Sequence, residues 1–378
     1  MDGSWGTHLH DMERRNYTPS ALTLPPKGSW RRRVSSFFSF FKKGSSAEFV
    51  TSPAIYKGVV YVGSKNNRFY ALDLDRGKLL WEFKPEAGVD GPATVTEDKV
   101  LFGSIEGVLY CLQRDTGKEL WRFSTRGEIT AAPAVEGDRV YLISADNRVY
   151  ALSIDSGERL WTYVNRSPQY VSARLDASPA VSEGKIFSMF NDGWLVSLEA
   201  VSGKELWKKR ILGEGILSPR ARRTPLIFDG LLYVIDGAGY IRALDSADGA
   251  EVIAYDMARA TDFIVTKKRI YSTDGERLIA ISRSPQGVLW TVDLGHGEAY
   301  SMAFAGGHVV IISNLKKAFL DIPFLEEKSG FVTVYTAERG KEVWGERIRE
   351  TVHSSAAISE DHIAVVTTDG MLSVFGTK

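Results

Sequence analysis

The amino-acid sequence predicts an all-β fold, an eight-bladed β-propeller built from four-stranded antiparallel blades. Three observations predict this fold class. A similar phrase ending in tryptophan recurs with a period of ~40 residues, which is typical of propellers and solenoids. Most copies carry a glycine four residues before that tryptophan. The apolar runs between these positions are short, β-branched and aromatic, and Gly, Asp and Asn turns separate them, which indicates strands rather than helices.

The tryptophans form one column of the repeat. In one copy, Tyr70-Ala71-Leu72-Asp73 leads to Gly77 and then to Trp81. A small residue stands ten positions before most of the tryptophans. One degenerate copy has Ile253 in the tryptophan position, and the next copy has Gln286 in the glycine position. We expect the glycines to supply the positive φ of a hairpin. We expect the tryptophans to fill the space between blades; they are Trp30, Trp81, Trp121, Trp161, Trp207, Trp290 and Trp344.

The two ends of the chain predict how the ring closes. Seven full repeats end at residues 81, 121, 161, 207, 253, 290 and 344, and three further runs follow without a tryptophan. Trp30 is a tryptophan with no repeat before it. Since closure removes exposed sheet edges, we expect the segment around Trp30 to complete the last blade. The expected organisation is a lead-in over residues 1–27 and a single propeller over 28–378, with seven blades as the alternative if the weak sixth repeat is not an independent blade.

Arg31-Arg32-Arg33 follow Trp30, and phenylalanines and Lys42-Lys43 come after them. This mixture fits either a closing strand and its loop or a segment lying on an anionic membrane surface, and we prefer the strand.

Composition excludes some classes of function. The chain has 378 residues with 47 basic and 47 acidic side chains, and this balance argues against a broad nucleic-acid surface. No apolar run approaches the length of a membrane span. The first residues are polar rather than leader-like, so both a cytoplasmic protein and a mature chain without its leader stay open. Cys111 is the single cysteine, which excludes a disulfide within the chain, and it stands in the small-residue column.

The phrase Tyr-Ala-Leu-Asp…Gly-Lys…Trp resembles the repeat of the pyrroloquinoline-quinone-like (PQQ-like, quinoprotein) propellers, over residues 50–375. One branch of that family holds quinone-dependent dehydrogenases, which need calcium beside the quinone, an acidic base and, in many members, an adjacent cysteine pair. This chain has one cysteine and no Glu/Asn/Asp trio placed as calcium ligands. The chain is more similar to the other branch, the BamB-type scaffolds of outer-membrane β-barrel assembly. The resemblance therefore implies no catalytic residues, no cofactor and no metal site, and hence a protein that is not an enzyme.

Three long loops are the candidate partner surface. The connectors over residues 162–178 and 208–224 and a loop over 314–330 are enlarged, and strand alternation places all three on one face. In BamB-type proteins the docking surface lies on the same two connectors, with an arginine before a Ser-Pro step that Arg174 matches. The second connector departs from that pattern, because arginines replace acidic residues there. The predicted partner-binding residues are Tyr170, Val171, Arg174, Leu217, Arg220, Arg222, Arg223, Phe319 and Phe324; the alternative is that these loops are merely solvated.

The expected function is a non-catalytic protein-interaction scaffold, periplasmic and associated with the outer membrane. Its expected partner is a protein of outer-membrane assembly, with no nucleic acid and no transmembrane segment. Peripheral or lipid-anchored attachment is compatible with the sequence, and we expect a monomer outside a complex. Two alternatives stay open: a quinone (PQQ)-dependent oxidoreductase and a ligand-binding sensor propeller.

Overall fold

The strands form eight sheets that surround one axis as the blades of a propeller. The computed structural model describes residues 11, 14, 17–18, 22–34, 51–166, 177–211, 224–255, 259–295, 297–315, 329–359 and 361–376. Every regular secondary-structure element in these ranges is a β-strand. The described part of the chain therefore contains no helix that could cross a bilayer. Each blade has four antiparallel strands, lettered A to D from the axis outwards, and in blade 7 the short strand Tyr17–Thr18 pairs with strand A on its inner side. The predicted eight-bladed propeller is confirmed, and the weak sixth repeat forms a blade of its own.

The strands of each blade follow in the order A to D. Blade 1 has Ala54–Tyr56, Val59–Ser64, Arg68–Asp73 and Leu79–Phe83; blade 2 has Thr94–Val95, Lys99–Gly103, Val108–Gln113 and Glu119–Ser124; blade 3 has Ala134–Glu136, Arg139–Ser144, Arg148–Ser153 and Arg159–Val164; blade 4 has Ala180–Ser182, Lys185–Met189, Trp194–Glu199 and Glu205–Arg210. Blade 5 has Leu226–Phe228, Leu231–Ile235, Ile241–Asp245 and Glu251–Tyr255; blade 6 has Asp262–Val265, Arg269–Thr273, Arg277–Arg283 and Gln286–Asp293; blade 7 has Gly297–Ala305, His308–Leu315, Gly330–Thr336 and Glu342–Ile348; blade 8 has Ala357–Ser359, His362–Val366, Met371–Phe375 and Ser29–Arg33.

The N-terminal strand closes the ring, as predicted. Ser29–Arg33 pairs with Met371–Phe375 as strand D of blade 8, with Trp30 opposite Val374. The Trp30 indole N–H donates to the Leu74 carbonyl of blade 1 at 2.8 Å. The three arginines after Ser29-Trp30 belong to this strand, which confirms the strand interpretation for them.

In blades 1, 3, 4 and 6 the small residue of the repeat lies between two aromatic residues of its own blade. Ala71 on strand C lies opposite Tyr61 on strand B and opposite Trp81 on strand D. The Tyr61 and Trp81 rings meet across it, with centroids 6.0 Å apart. Blades 3, 4 and 6 repeat this arrangement with centroid distances of 5.9 to 6.0 Å. A larger residue in the small column would hold the two rings apart. The small column therefore lets two rings of one blade meet, which is a more specific role than the close approach of neighbouring sheets.

The glycine and tryptophan columns meet between successive blades. A Cβ on Gly117 of blade 2 would lie 2.5 Å from the Trp81 ring of blade 1, so the indole packs directly on the glycine. The same contact recurs at Gly77, Gly157, Gly203, Gly249 and Gly340, each against the tryptophan of the preceding blade. Each glycine also has positive φ. Two requirements therefore select glycine, a left-handed backbone and the absence of a side chain under an indole.

The exceptions in the tryptophan and glycine columns belong to one junction, between blades 5 and 6. Ile253 replaces the tryptophan of blade 5 and Gln286 replaces the glycine of blade 6. Where no indole is present, no glycine is needed. The adjacent Arg283 of blade 6 reaches back to blade 5 instead: its guanidinium donates to Tyr233 Oη at 2.9 Å and lies over the Phe228 ring.

Candidate functional site

The connectors between blades and the hairpins between strands B and C lie on one face of the ring, here called the connector face. Lys65 of a B–C hairpin forms an ion pair with Asp90 of a connector, with Nζ and Oδ2 3.3 Å apart. Thr368 of the blade 8 hairpin and Thr351 of a connector are also in contact, with their hydroxyl oxygens 2.9 Å apart. The described ends of the enlarged blade 7 loop lie between strands B and C, so all three long loops start and end on the connector face.

The predicted partner-binding residues lie outside the described residues, and they stay predictions. Tyr170, Val171 and Arg174 lie in the gap between residues 166 and 177. Leu217, Arg220, Arg222 and Arg223 lie between residues 211 and 224, and Phe319 and Phe324 lie between 315 and 329. The described residues beside these gaps show where each loop leaves the ring.

Hydrogen bonds between polar side chains join the bases of the two long connectors. Asn165, buried at the end of strand D of blade 3, donates from Nδ2 to Asp192 Oδ2 at 2.8 Å. Lys208 of blade 4 donates from Nζ to Asn165 Oδ1 at 2.7 Å. The Lys208 ammonium also lies 4.7 Å from the centroid of the Trp194 ring. The start of the first connector is therefore tied to the strand that leads into the second.

The enlarged loop of blade 7 leaves the ring four blades away from blade 3, on the opposite side of the axis. At its base, Asn314 donates to the Val352 carbonyl at 3.0 Å and accepts from the Val352 N–H at 2.7 Å. Nearby, the rings of Tyr300 and His353 stack with centroids 5.2 Å apart. Both side chains are exposed on this face, and no motif in the sequence distinguishes them.

The axis of the ring holds residues from the chain's own N-terminal segment. Arg14 is fully buried, and its guanidinium donates to the carbonyls of Ala132, Pro133 and Pro179 at the entries to blades 3 and 4. Tyr17–Thr18 then pairs in parallel with the inner strand of blade 7, with Thr18 opposite Ala305. Sequence reasoning missed this contact, because a single arginine in a polar lead-in belongs to no repeated column.

Among the described residues, no three or more His, Cys, Asp or Glu side chains form a group that could hold a metal ion. Among the acidic side chains near the axis, Asp262 accepts the backbone N–H groups of Phe263 and Met302. Cys111 is buried, and burial raises the pKa of its thiol to about 12. This thiol is a packing group of the small column, as predicted.

The repeats, the ring and its closure define the class: the protein is a PQQ-like β-propeller. The chain belongs to the family described as outer membrane protein assembly factor BamB, which matches residues 39–89, 71–284 and 287–378. The ring is similar to the crystal structure of BamB from Moraxella catarrhalis, with a TM-score of 0.71 and 16% identity over 94% of this chain and 99% of that one.

The ring is equally similar to an enzyme. Quinohemoprotein alcohol dehydrogenase from Comamonas testosteroni gives a TM-score of 0.73 and 13% identity over 100% of this chain and 81% of that one. At these identities the likeness establishes a shared fold. The chain is also 30% identical over 115 residues to 1-butanol dehydrogenase (cytochrome c) of Thauera butanivorans. That match covers 28% of this chain and 16% of the dehydrogenase, a small part of the relative's length.

Proposed function

We propose that this protein is a non-catalytic scaffold that binds a protein of outer-membrane assembly through the connector face, in the periplasm. Membership of the family described as outer membrane protein assembly factor BamB supports this proposal. The observation that carries it is the contrast between the axis and the loops. Arg14 and Thr18 take up space at the axis, whereas the three longest loops of the ring share one face. Binding on such a ring is therefore expected at the loops.

The charge of the second connector indicates the chemistry of the partner. Arg220, Arg222 and Arg223 stand in a short stretch, and Arg174 lies in the first connector. The Asn165–Lys208 contact ties these connectors together at their base. Arginine forms paired hydrogen bonds with carboxylates and is a favoured anchor residue of interfaces. We propose that this side of the connector face docks an acidic surface, with Tyr170, Val171 and Leu217 as apolar contacts. Phe319 and Phe324 would form a second contact across the axis.

A titration with the purified outer-membrane assembly barrel of the same organism tests the proposal. We expect Arg174→Ala and Phe324→Ala each to weaken binding by at least about tenfold, which corresponds to ~1.4 kcal/mol. Arg76→Ala is the matched control, because Arg76 is exposed on the opposite face. Binding that all three substitutions leave unchanged would contradict docking through the connector face.

A quinone-dependent oxidoreductase is the second candidate. The match to 1-butanol dehydrogenase favours it. Incubation with calcium and pyrroloquinoline quinone, followed by dye reduction with short alcohols, separates the two candidates. The scaffold proposal predicts no turnover and no quinone binding. Stoichiometric quinone binding with alcohol-dependent dye reduction would replace it with the oxidoreductase.

A further inference from the structure

The described residues of the N-terminal segment contact blades on opposite sides of the propeller axis. Arg14 contacts the entries to blades 3 and 4, and Thr18 pairs with the end of strand A of blade 7. Beyond the axis, Leu22 packs in the hydrophobic core that includes blade 8, and the Thr23 N–H donates to Asp361 Oδ1 at 3.2 Å. The segment thus connects the axis to the closing strand.

The contacts of Arg14 define a buried hydrogen-bonding site. Its Nε donates to the Pro179 carbonyl at 3.0 Å, and one terminal nitrogen donates to the carbonyls of Ala132 and Pro133 at 3.2 and 3.0 Å. The three acceptors belong to two blades. Pro133 and Pro179 occupy the proline position that opens the inner strands, so a repeated feature of the ring provides two of the three oxygens.

The donor geometry selects a guanidinium over an ammonium. A guanidinium is a rigid planar group with five N–H donors, whereas an ammonium is a compact point charge on a flexible stem. Carbonyl oxygens that converge from two blades match donors on different nitrogens of one fork. Full burial also requires that the donors be satisfied, because an unpaired buried charge is strongly destabilising.

We propose that the carbonyl oxygens of Ala132, Pro133 and Pro179 form a guanidinium-binding site at the axis of the ring, with Arg14 as its resident ligand. Through this site the N-terminal segment fastens blades 3 and 4 to blade 7, which closes the ring a second time and independently of Trp30. The ligand class is a guanidinium compound. The inference does not depend on the proposed scaffold function.

Chemical rescue of an Arg14 variant in the full chain tests the site. Arg14 has a φ of 60°, a left-handed conformation that suits glycine. Arg14→Gly therefore removes the guanidinium without adding backbone strain. We expect it to lower Tm by at least about 3 °C. Millimolar methylguanidinium should restore part of this loss, with a shift that grows with the logarithm of its concentration. Wild-type protein with methylguanidinium and Arg14→Gly with methylammonium are the controls, and neither should gain stability.

Hydrogen exchange at Gly306 gives a second readout, because its N–H donates to the Thr18 carbonyl. Exchange should accelerate in Arg14→Gly and slow again with methylguanidinium. Absence of rescue in both readouts, or an equal effect of methylammonium, would overturn the proposal. If Arg14→Gly does not fold, the Tm of Arg14→Lys tests the selectivity for a guanidinium. We expect a Tm below that of the wild type, and a Tm equal to that of the wild type would overturn this selectivity.

Discussion

The six-membered ring of the Trp30 indole packs on Gly77, where a Cβ would lie 2.7 Å from the ring. Trp30 belongs to the strand that pairs with Met371–Phe375, so this contact joins blade 8 to blade 1. The same tryptophan–glycine contact joins five other pairs of successive blades. The junction that closes the ring is therefore stabilised by the same contact that packs most of the other blades together.

This contact predicts a coupled effect of two substitutions. Gly77→Ala should lower the free energy of unfolding by about 2–4 kcal/mol, because it adds a methyl group under the indole and places alanine at a φ of 64°. In a Trp30→Ala background the clash is absent, and the same substitution should cost about 1–2 kcal/mol. Denaturant unfolding of the four proteins measures the coupling.

Gly58→Ala is the matched control for that cycle. Gly58 has a φ of 74°, but a Cβ there would meet nothing within 4 Å. It should show the backbone cost alone, about 1–2 kcal/mol, in both backgrounds. Equal costs for Gly77→Ala with and without Trp30 would show that the indole does not need the glycine.

Arg283 is predicted to stabilise the one junction that lacks the tryptophan. Its side chain is largely buried and bonds to Tyr233 and to the carbonyls of Thr266 and Lys267. Arg283→Ala should lower the free energy of unfolding by about 2–3 kcal/mol, since it removes charged hydrogen bonds to partly buried acceptors and the contact with the Phe228 ring. Arg68→Ala removes an ion pair with Glu82 in which both side chains are exposed, and it should cost less than about 1 kcal/mol. Equal effects in thermal unfolding would rule out a special role for Arg283.

Buried tyrosines predict loss of stability at alkaline pH. Burial raises the pKa of Tyr150, Tyr233 and Tyr335 to about 12, against about 10 in an unfolded chain. The unfolded state therefore loses these protons first, so stability is fully present below about pH 10 and falls as the pH rises towards 12.

Urea unfolding between pH 9 and pH 12 measures this slope. Tyr335→Phe removes one of the three groups and should make the decline shallower, while the stability near pH 8 changes little. A slope that Tyr335→Phe leaves unaltered would assign the alkaline loss to other groups.

The repeated columns made the architecture predictable. Tryptophan, glycine and small residues recur at constant spacing because each blade solves the same packing problem, and the unpaired Trp30 indicated the closure. Even the exceptions at Ile253 and Gln286 are explained by one interface. Arg14 was not predictable, because its partners are backbone carbonyls that leave no trace in the side-chain pattern. Asn165, Asp192 and Lys208 were missed for a similar reason: they meet through the ring rather than through sequence spacing.

Site-specific photo-cross-linking tests the docking claim most directly. A photo-reactive residue at position 170 lies in the first long connector, and one at position 118 replaces an exposed lysine on the opposite face. With the outer-membrane assembly barrel present, we expect a cross-linked complex from position 170 and none from position 118. Cross-linking from position 118 alone would contradict the connector face as the docking surface.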